Sequence, residues 1–443
     1  MSGIAEVLHN QGYPVSGSDL AESDTTRRLA QLGIRISIGH RAENLQHAKA
    51  VVISSAVRPE NPEVIEARHR RVPVIPRAEM LAEIMRGKQA IAVAGSHGKT
   101  TTTSMIATVL THAGLDPTLV IGGKVDSLGG NAKLGQGQFV VAEADESDGS
   151  FLQLPTVWGV VTNIDNDHLD YYESLQAIES AFSLFVCQLP FYGAAAVCLD
   201  DPGVQRCLSR FTKPVLTYGI STDADFRAKN ITALEMGSRF EVMERGQSLG
   251  KFEIQVPGQH NILNALAAIA IARELGVSVE EIRTGIHAFA GVKRRFEICW
   301  KNTARKQVIV DDYGHHPTEI ASTLSAAKSF WKGRIRVVFQ PHRYTRTLHC
   351  HDGFLSAFHH ADEIILTEIY AAGEEPIEGV SGEQLCKDIS NVLSDNQKIR
   401  FAKNLDVAKK YILDDFKDGD LVICMGAGTI TRLPSQLVSH HEK

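Results

Sequence analysis

A glycine-rich segment in the first quarter of the chain has the residue types of a loop that binds nucleotide phosphates. It consists of Gly95, Ser96, His97, Gly98, Lys99, Thr100 and Thr101. An apolar run at 90–94 predicts a strand before the loop, and residues 101–111 predict a helix after it, which is the context that such a loop requires. Backbone N–H groups at a helix start attract phosphate. Lys99 would add a positive charge, and the hydroxyl of Thr100 would ligate Mg²⁺.

The loop is shorter than the general phosphate-loop pattern. Its spacing is Gly-x-x-Gly-Lys-Thr, whereas the general pattern is Gly-x-x-x-x-Gly-Lys-Ser/Thr. The alternative interpretation is a glycine turn with a solvated lysine. The agreement of strand, Gly-Lys-Thr-Thr and helix disfavours that alternative, and we predict an ATP-binding loop.

Two further predicted strands end in polar clusters. One leads into the acidic run 143–148, and the other leads into a run that contains His168. Because ligands bind at the carboxyl ends of strands in open parallel sheets, we expect both clusters to converge on the cleft of the phosphate loop. Mg²⁺ prefers oxygen ligands, which makes Glu143 a candidate metal ligand beside Thr100. A solvated acidic turn is the alternative for the acidic run, and His168 would either ligate a second metal or only shape the site.

A predicted helix that begins near residue 259 presents two amides on one face. Asn261 and Asn264 are three residues apart and therefore share that face. An amide can donate and accept hydrogen bonds at once, which suits the edge of adenine. Taken alone, the pattern is more typical of a helix cap.

Two strand-to-loop junctions in the last third of the chain carry histidine, arginine and aspartate. The first contains Asp311, Tyr313 and His315, and the second contains Arg343 and Arg346. Two arginines can clamp a carboxylate through paired hydrogen bonds. A zinc site is disfavoured at the adjacent histidines His315 and His316, because neither a cysteine nor a third histidine lies nearby in sequence.

The elements that position these residues predict an α/β protein. Strand-like apolar runs alternate with helical segments, which is typical of parallel sheets covered by helices. Examples of these runs are 50–53, 90–94, 138–142, 158–162, 307–310, 335–339, 363–367 and 421–424. Residues 239–245 and 250–256 alternate in polarity and predict a meander beside the main sheet.

The length of 443 residues is too great for one hydrophobic core. We predict three domains. They are an N-terminal Rossmann-like domain (1–87), a central P-loop ATPase-like domain with a mostly parallel sheet (88–294) and a C-terminal Rossmann-like domain (295–443).

Composition excludes several classes of protein. The net charge of -6 gives no indication of a nucleic-acid partner. No apolar run reaches the roughly 18 to 20 residues that would span a bilayer, and the first ten residues lack the pattern of a signal peptide. The seven cysteines are widely spaced and contain no Cys-x-x-Cys, which is typical of reduced thiols in a cytoplasmic protein.

Together these segments resemble the Mur ligases, and the resemblance extends over essentially the whole chain. The motifs occur in the family's order, as 95–101, 143–148, 162–168, 260–264, 294–296 and 311–317. The stretches Asp-Tyr-Gly-His-His-Pro and Gln-Pro-His-Arg-Tyr-Thr-Arg favour the alanine-adding branch. The absence of a lysine from 175–193 agrees with that branch, since later ligases carry a carbamylated lysine there.

The resemblance implies the role of each candidate residue, with ATP and Mg²⁺ as cofactors. ATP would bind the glycine-rich loop, and magnesium would bind Thr100, Glu143 and His168. The residues expected around adenine are His260, Asn261 and Asn264. Those expected to approach the phosphates or ribose are Arg295 and Asp311. Those expected to receive L-alanine are Tyr313, His315, Arg343 and Arg346, which with Lys99 form the expected catalytic set. Those expected to receive the UDP-sugar are Ser18, Asp19, Ser54 and Ser55.

The start of the chain departs from the family pattern. Residues 3–8 predict a helix and 15–19 the end of a strand, whereas the family opens with a strand and a Gly-x-Gly-Gly-x-Gly turn. Residues 1–5 align just after that turn. We therefore expect the natural sequence to begin earlier, and binding of the UDP-sugar by this chain stays open.

The implied reaction transfers the γ-phosphoryl group of ATP to the lactyl carboxylate of UDP-N-acetylmuramate. The amine of L-alanine then attacks the acyl phosphate, with His315 as the candidate base. Two other functions stay open. One is a recycling ligase that attaches a ready-made tripeptide to the same UDP-sugar, and the other is a catalytically inactive nucleotide-binding protein. The sequence leaves monomer and homodimer equally open.

Overall fold

The computed structural model describes residues 1–54, 56–125, 130–167 and 169–441. It confirms the predicted α/β class. The helices are α1 (Ser2–Asn10), α2 (Asp24–Gln31), α3 (Pro62–His69), α4 (Arg77–Met85), α5 (Lys99–His112), α6 (Leu169–Tyr172), α7 (Leu175–Cys187), α8 (Pro202–Cys207), α9 (Gln259–Glu274), α10 (Val279–Ala288), α11 (Pro317–Phe330), α12 (Tyr344–His349), α13 (His351–Ser356), α14 (Gly382–Ser390), α15 (Leu405–Leu413) and α16 (Leu433–His441).

The strands alternate with these helices along most of the chain. They are β1 (Ser16–Asp19), β2 (Arg35–Ile38), β3 (Val51–Ile53), β4 (Val74–Pro76), β5 (Gln89–Ala94), β6 (Thr118–Val125), β7 (Gly130–Lys133), β8 (Phe139–Glu143), β9 (Trp158–Val161), β10 (Ala194–Cys198), β11 (Val215–Gly219), β12 (Phe226–Leu234), β13 (Gly237–Glu244), β14 (Gln247–Ile254), β15 (Glu297–Asn302), β16 (Gln307–Asp312), β17 (Ile335–Phe339), β18 (Glu363–Thr367), β19 (Lys398–Ala402) and β20 (Leu421–Met425).

The chain forms two compact units. The first comprises Met1–Lys229, Glu241–Phe252 and Leu263–Phe289. The second comprises Asn230–Phe240, Glu253–Ile262 and Ala290–Lys443. Among the described residues, no helix has the length and apolar character needed to cross a membrane.

The first unit is built on a large, mostly parallel sheet. Its strand order is β11-β10-β9-β5-β8-β6-β7, and only the β6–β7 pair is antiparallel. The meander strands β12, β13 and β14 follow β11 in the sheet order. Strand β5 is buried from its second residue onward, and β8 is buried except at its last residue. Such nearly continuous apolar runs are typical of parallel strands covered on both faces.

The register of this sheet places three strand ends side by side. Val93 of β5 pairs with Glu143 of β8, and Ala94 of β5 pairs with Val161 of β9. Residues that follow these strands therefore emerge at one edge of the sheet. This edge is where the sequence predicted the phosphate loop and its polar neighbours.

The start of the chain forms two small parallel sheets, β1–β2 and β3–β4. Helix α1 precedes them, and its Ile4 and Val7 pack into the core cluster that also contains Leu81 and Met85 of α4. The predicted helix at 3–8 and strand end at 15–19 are confirmed by α1 and β1.

The second unit contains a six-stranded sheet in the order β15-β16-β20-β17-β18-β19, in which only β15 is antiparallel. Alternate residues of each strand face opposite sides. Val308 and Val310 join one core cluster, whereas Ile309 joins another on the opposite face. The sheet is therefore covered on both sides, as expected for a Rossmann-like architecture.

Candidate functional site

The glycine-rich loop connects β5 to α5 as predicted, and it has little room for side chains. Gly95 and Gly98 have φ angles of 135° and 81°, in the region that favours glycine. A Cβ atom at residue 95 would lie 1.9 Å from the Oγ1 of Thr162, and one at residue 98 would lie 2.8 Å from the Oδ1 of Asn264. The two glycines therefore permit the turn itself and also the close approach of the loop backbone to Thr162 and Asn264.

Lys99 folds back over its own loop. Its Nζ donates hydrogen bonds to the carbonyl oxygens of Gly95 (2.6 Å) and Ser96 (3.1 Å) and to the Oε1 of Glu146 (2.7 Å). Burial by itself lowers the pKa of Lys99, but Glu146, with smaller contributions from Glu143 and Asp145, raises it above its usual value. The lysine therefore stays protonated, and a positive charge is held at the phosphate loop.

Asn163 fixes the backbone of the loop. The N–H of His97 donates to the Oδ1 of Asn163 (2.8 Å), and the Nδ2 of Asn163 donates to the carbonyl of His97 (3.0 Å). Thr162 donates to the same carbonyl (2.6 Å), and the N–H of Ser96 donates to the carbonyl of Asn163 (3.1 Å). No role was predicted for Asn163 from the sequence, although its position two residues after the end of β9 was a usable signal.

Thr100 and Glu143 form a second contact at this edge of the sheet. The hydroxyl of Thr100 lies 2.9 Å and 3.0 Å from the two carboxylate oxygens of Glu143, one of which also accepts from the N–H of Gly122 (2.8 Å). These are hard oxygen donors of the kind that Mg²⁺ prefers, so the pair fits a magnesium site. His168, the third predicted ligand, lies outside the described residues.

The acidic run after β8 has buried members. Glu146 is only 2% exposed, and its backbone carbonyl accepts a hydrogen bond from the hydroxyl of Tyr172 (2.6 Å). Asp145 accepts from Arg77 (3.0 Å). Burial opposes ionisation of Asp145, but hydrogen bonds from Ser147 and the charge of Arg77 hold its pKa below the usual value. Negative charge is thus concentrated beside Lys99.

Of the predicted adenine residues, Asn264 belongs to the first unit, and His260 and Asn261 belong to the second. In the first unit, the hydroxyl of Thr102 donates to the Oδ1 of Asn264 (3.0 Å). In the second unit, the Nδ2 of Asn261 donates to the carbonyl of Pro257 (2.7 Å), four residues earlier in the chain. Burial, reinforced by the charge of Arg295, lowers the pKa of His260 to about 4, so its imidazole is neutral.

In the second unit, Tyr313 lies beneath two arginines. The guanidinium carbons of Arg294 and Arg295 lie 4.9 Å and 5.2 Å from the centre of its ring. Arg294 also donates to Asp311 (3.2 Å), and Arg295 donates to Glu319 (3.1 Å). The predicted residues Arg295, Asp311 and Tyr313 are therefore parts of one cationic cluster.

His315 is the next residue in this cluster, and it is neutral. Its Nδ1 lies 3.0 Å from the carbonyl oxygen of Tyr313, which can only accept, so Nδ1 carries the hydrogen and Nε2 keeps a lone pair. Burial lowers the pKa of His315 to about 3, a shift that the charge of Arg346 increases and that of Glu319 opposes. The imidazole is therefore neutral at physiological pH, and the same burial makes it a weak base in this conformation.

The junction after β17 contributes a second histidine, His342, for which no role was predicted from the sequence. The ring of His342 lies 5.8 Å from that of His315 and stacks on Tyr370 at 5.6 Å. Its Nδ1 lies 3.4 Å from Arg346. Burial, with the charges of Arg346 and Arg343, lowers the pKa of His342 to about 4.

Glu319 was also missed, although its position gave a signal. It lies three residues after His316, which caps α11, and their side chains form a capping box. The same carboxylate accepts from the backbone N–H of His315 (3.0 Å). It therefore orients the loop that carries the candidate base.

The predicted sugar-binding residues lie near the ends of β1 and β3. The hydroxyl of Ser18 donates to Glu63 (2.8 Å) and lies 2.9 Å from the Nδ1 of His40. Asp19 ends β1, and Ser54 follows β3. Ser55 lies outside the described residues.

Comparison with known protein families gives three matches in sequence order. Residues 1–89 match the model "Mur ligase family, catalytic domain". Residues 93–272 match "Mur ligase middle domain", and residues 294–428 match "Mur ligase, glutamate ligase domain".

Individual relatives are similar over nearly their whole length. A UDP-N-acetylmuramate–L-alanine ligase from Syntrophotalea carbinolica is 52% identical, over 99% of this chain and 94% of that protein. One from Geotalea daltonii is also 52% identical, over 99% and 95%.

Solved structures agree in fold. The UDP-N-acetylmuramate-alanine ligase from Thermotoga maritima superposes with a TM-score of 0.85 at 30% identity and covers 100% of this chain and 96% of that one. A murein peptide ligase from Psychrobacter arcticus superposes with a TM-score of 0.71 at 27% identity and covers 99% and 96%.

Proposed function

The chain belongs to the Mur ligase family, and from that premise we propose that it joins L-alanine to the lactyl carboxylate of UDP-N-acetylmuramate with ATP as the energy source. The observation that carries this proposal is the 52% identity, over 99% of the chain, to relatives that bear the name of that activity. The product is a precursor of peptidoglycan, so we place the reaction in the cytoplasm.

We propose the domain boundaries 1–87, 88–294 and 295–443. The three family matches, which end or begin at 89, 93, 272 and 294, support this division. The first domain would bind the UDP-sugar through Ser18, Asp19, Ser54 and Ser55. The central domain would bind ATP, and the third would bind L-alanine.

The phosphate loop is proposed to hold ATP for transfer of its γ-phosphoryl group. Lys99 is protonated and 15% exposed, so it can exchange its contact with Glu146 for a phosphate oxygen. The N–H groups at the start of α5 would face the same phosphates. Mg²⁺, held by Thr100, Glu143 and His168, would neutralise charge on the phosphates. His260, Asn261 and Asn264 would surround adenine, with Arg295 and Asp311 near the phosphates or ribose.

The third domain is proposed to present the amine. Arg343 and Arg346 would bind the carboxylate of L-alanine, beside Tyr313. Within the described part of the chain, the buried Nε of Arg343 has no hydrogen-bond acceptor, which leaves it available to such a carboxylate. As the amine attacks the acyl phosphate, the Nε2 of His315 would accept its proton, and phosphate would leave.

One assay tests the proposal. Purified protein is given ATP and UDP-N-acetylmuramate, with L-alanine, glycine, L-serine or the murein tripeptide supplied in turn, and ADP is measured. We expect L-alanine to give the highest kcat/KM. Preference for the tripeptide would instead assign the recycling activity, which the similarity to a murein peptide ligase makes the second candidate. Absence of ADP formation with every acceptor would refute both.

A further inference from the structure

The turn between β17 and α12 has an unusual backbone. Arg343 has a φ angle of 69°, in the left-handed region that residues with side chains rarely adopt. Such a conformation persists only where the surrounding structure holds it. Arg343 ends this turn, and Arg346 lies in α12, which begins at the next residue, so the backbone here positions both arginines of the candidate alanine site.

Two contacts from the segment after β18 hold this turn. The first is a backbone bridge, in which the N–H of Arg343 donates to the carbonyl of Tyr370 (2.9 Å) and the N–H of Tyr370 donates to the carbonyl of Pro341 (2.8 Å). The second is the carboxylate of Glu374. Its Oε2 accepts from the N–H of Thr345 (3.1 Å), and its Oε1 accepts from the hydroxyl of Thr345 (2.7 Å).

Glu374 is also the negative charge beside Arg343. Its Oε1 lies 4.0 Å from the Nε of Arg343. Burial opposes ionisation of Glu374, but the hydrogen bonds from Thr345 and the charge of Arg343 keep its pKa below the usual value. The carboxylate is therefore ionised at neutral pH, and both its oxygens face the turn.

We propose that Glu374 is a positioning residue, which fixes Arg343 and the start of α12 so that Arg343 and Arg346 face the carboxylate of the incoming amino acid. This inference rests on the proposed function, because it assigns the arginines to the amino acid. Glu374 touches Thr345 and approaches Arg343, and it acts on the substrate only through them. Loss of its carboxylate releases the N–H and hydroxyl of Thr345, and the turn then relaxes toward ordinary φ values.

If Glu374 had a purely structural role, its substitution would weaken the binding of all three substrates together or lower the amount of folded protein. A positioning residue at the amino-acid end would act on one substrate. We therefore expect Glu374→Ala to raise the KM for L-alanine roughly tenfold or more, since charge-assisted hydrogen bonds to a carboxylate are lost. The KM values for ATP and UDP-N-acetylmuramate should change less than about twofold.

The chain offers a matched control and a rescue. Glu375 is the adjacent glutamate and is exposed, so Glu375→Ala removes the same charge without the contacts to Thr345. Glu374→Gln keeps one acceptor oxygen and should give an intermediate KM for L-alanine. Thr345→Ala removes the hydroxyl donor and should raise the same KM by a smaller factor, which keeps a test available if Glu374→Ala does not fold.

The experiment measures kcat and all three KM values for the wild type and these four variants of the full chain. A selective rise of the KM for L-alanine, ordered Glu374→Ala, then Glu374→Gln, with Glu375→Ala unchanged, supports the inference. If the wild type turns over but Glu374→Ala behaves like Glu375→Ala, or affects all substrates equally, the inference is wrong and the proposed function stands. If the wild type forms no ADP, the proposed function fails first and this inference with it.

Discussion

The ion pair between Lys99 and Glu146 gives the most direct test of the electrostatics at the phosphate loop. The pair is 2.7 Å long, and the exposed fractions of the two side chains are 15% and 2%. Replacing Glu146 by Gln keeps the size and one acceptor oxygen but removes the charge. We expect this change to leave Lys99 buried with a weaker partner.

The magnitude follows from the burial of the pair. Breaking a buried ion pair by removing one partner costs roughly 3 to 5 kcal/mol. The glutamine oxygen still accepts from Lys99, and Glu143 and Asp145 remain close enough to stabilise its charge. We therefore expect the free energy of unfolding to fall by roughly 2 to 4 kcal/mol, which is somewhat less than the cost of removing the partner entirely.

The assay is urea-induced unfolding followed by circular dichroism, with Asp148→Asn as the matched control. Asp148 belongs to the same acidic run but is exposed, so the same loss of charge should change stability by less than about 0.5 kcal/mol. The midpoint and the slope are compared for the transition that includes the first unit. Equal stability of the two variants would refute the claim that Glu146 stabilises the charge of Lys99.

Other changes test the rest of the site. Lys99→Ala should lower kcat for ADP formation at least roughly 100-fold, because the proposed function places this charge at the transferred phosphoryl group; a loss of less than about tenfold would contradict that role. Asn163→Ala removes two hydrogen bonds to His97 and should lower stability by roughly 1 to 3 kcal/mol while raising the KM for ATP; an unchanged KM would show that the loop keeps its shape without them. His315 is held neutral, with a pKa of about 3 in the folded chain against 6.5 unfolded, so the unfolded state binds more protons between these values. The contribution of His315 to the free energy of unfolding should be present above pH 6.5 and be lost as the pH falls toward 3. In urea titrations, His315→Gln should therefore reduce the loss of stability between pH 7 and pH 4.5. An identical loss in wild type and variant would contradict the neutral assignment.

The sequence predicted the strands and the loop after β5 well, because buried parallel strands are continuous apolar runs and the glycine turn has a local pattern. Val93, Glu143 and Val161 are neighbours because β5 lies between β8 and β9 in the sheet. The alternation of strands and helices predicts a parallel sheet but gives its strand order only in outline. The position of Glu143 near Thr100 could therefore be predicted from the sequence.

The contacts that were missed are those made by ordinary side chains across long separations. Asn163 reaches His97 across 66 residues, and Glu146 reaches Lys99 across 47. Neither residue type indicates its partner, and the partner depends on which loops follow adjacent strands. Glu374 is a further case, since a glutamate in a loop after β18 has no local signal for capping a turn after β17.

The position of β5 between β8 and β9 has a mechanical consequence for the phosphate loop. The loop is tied to one neighbour through Thr100 and Glu143, and to the other through His97 and Asn163. A slip of β5 by one residue, about 3.3 Å, would break both ties together. Under the proposed function, the loop that binds the triphosphate and the magnesium ligands Thr100 and Glu143 would therefore move together, and a displacement of either neighbouring strand would shift the bound nucleotide.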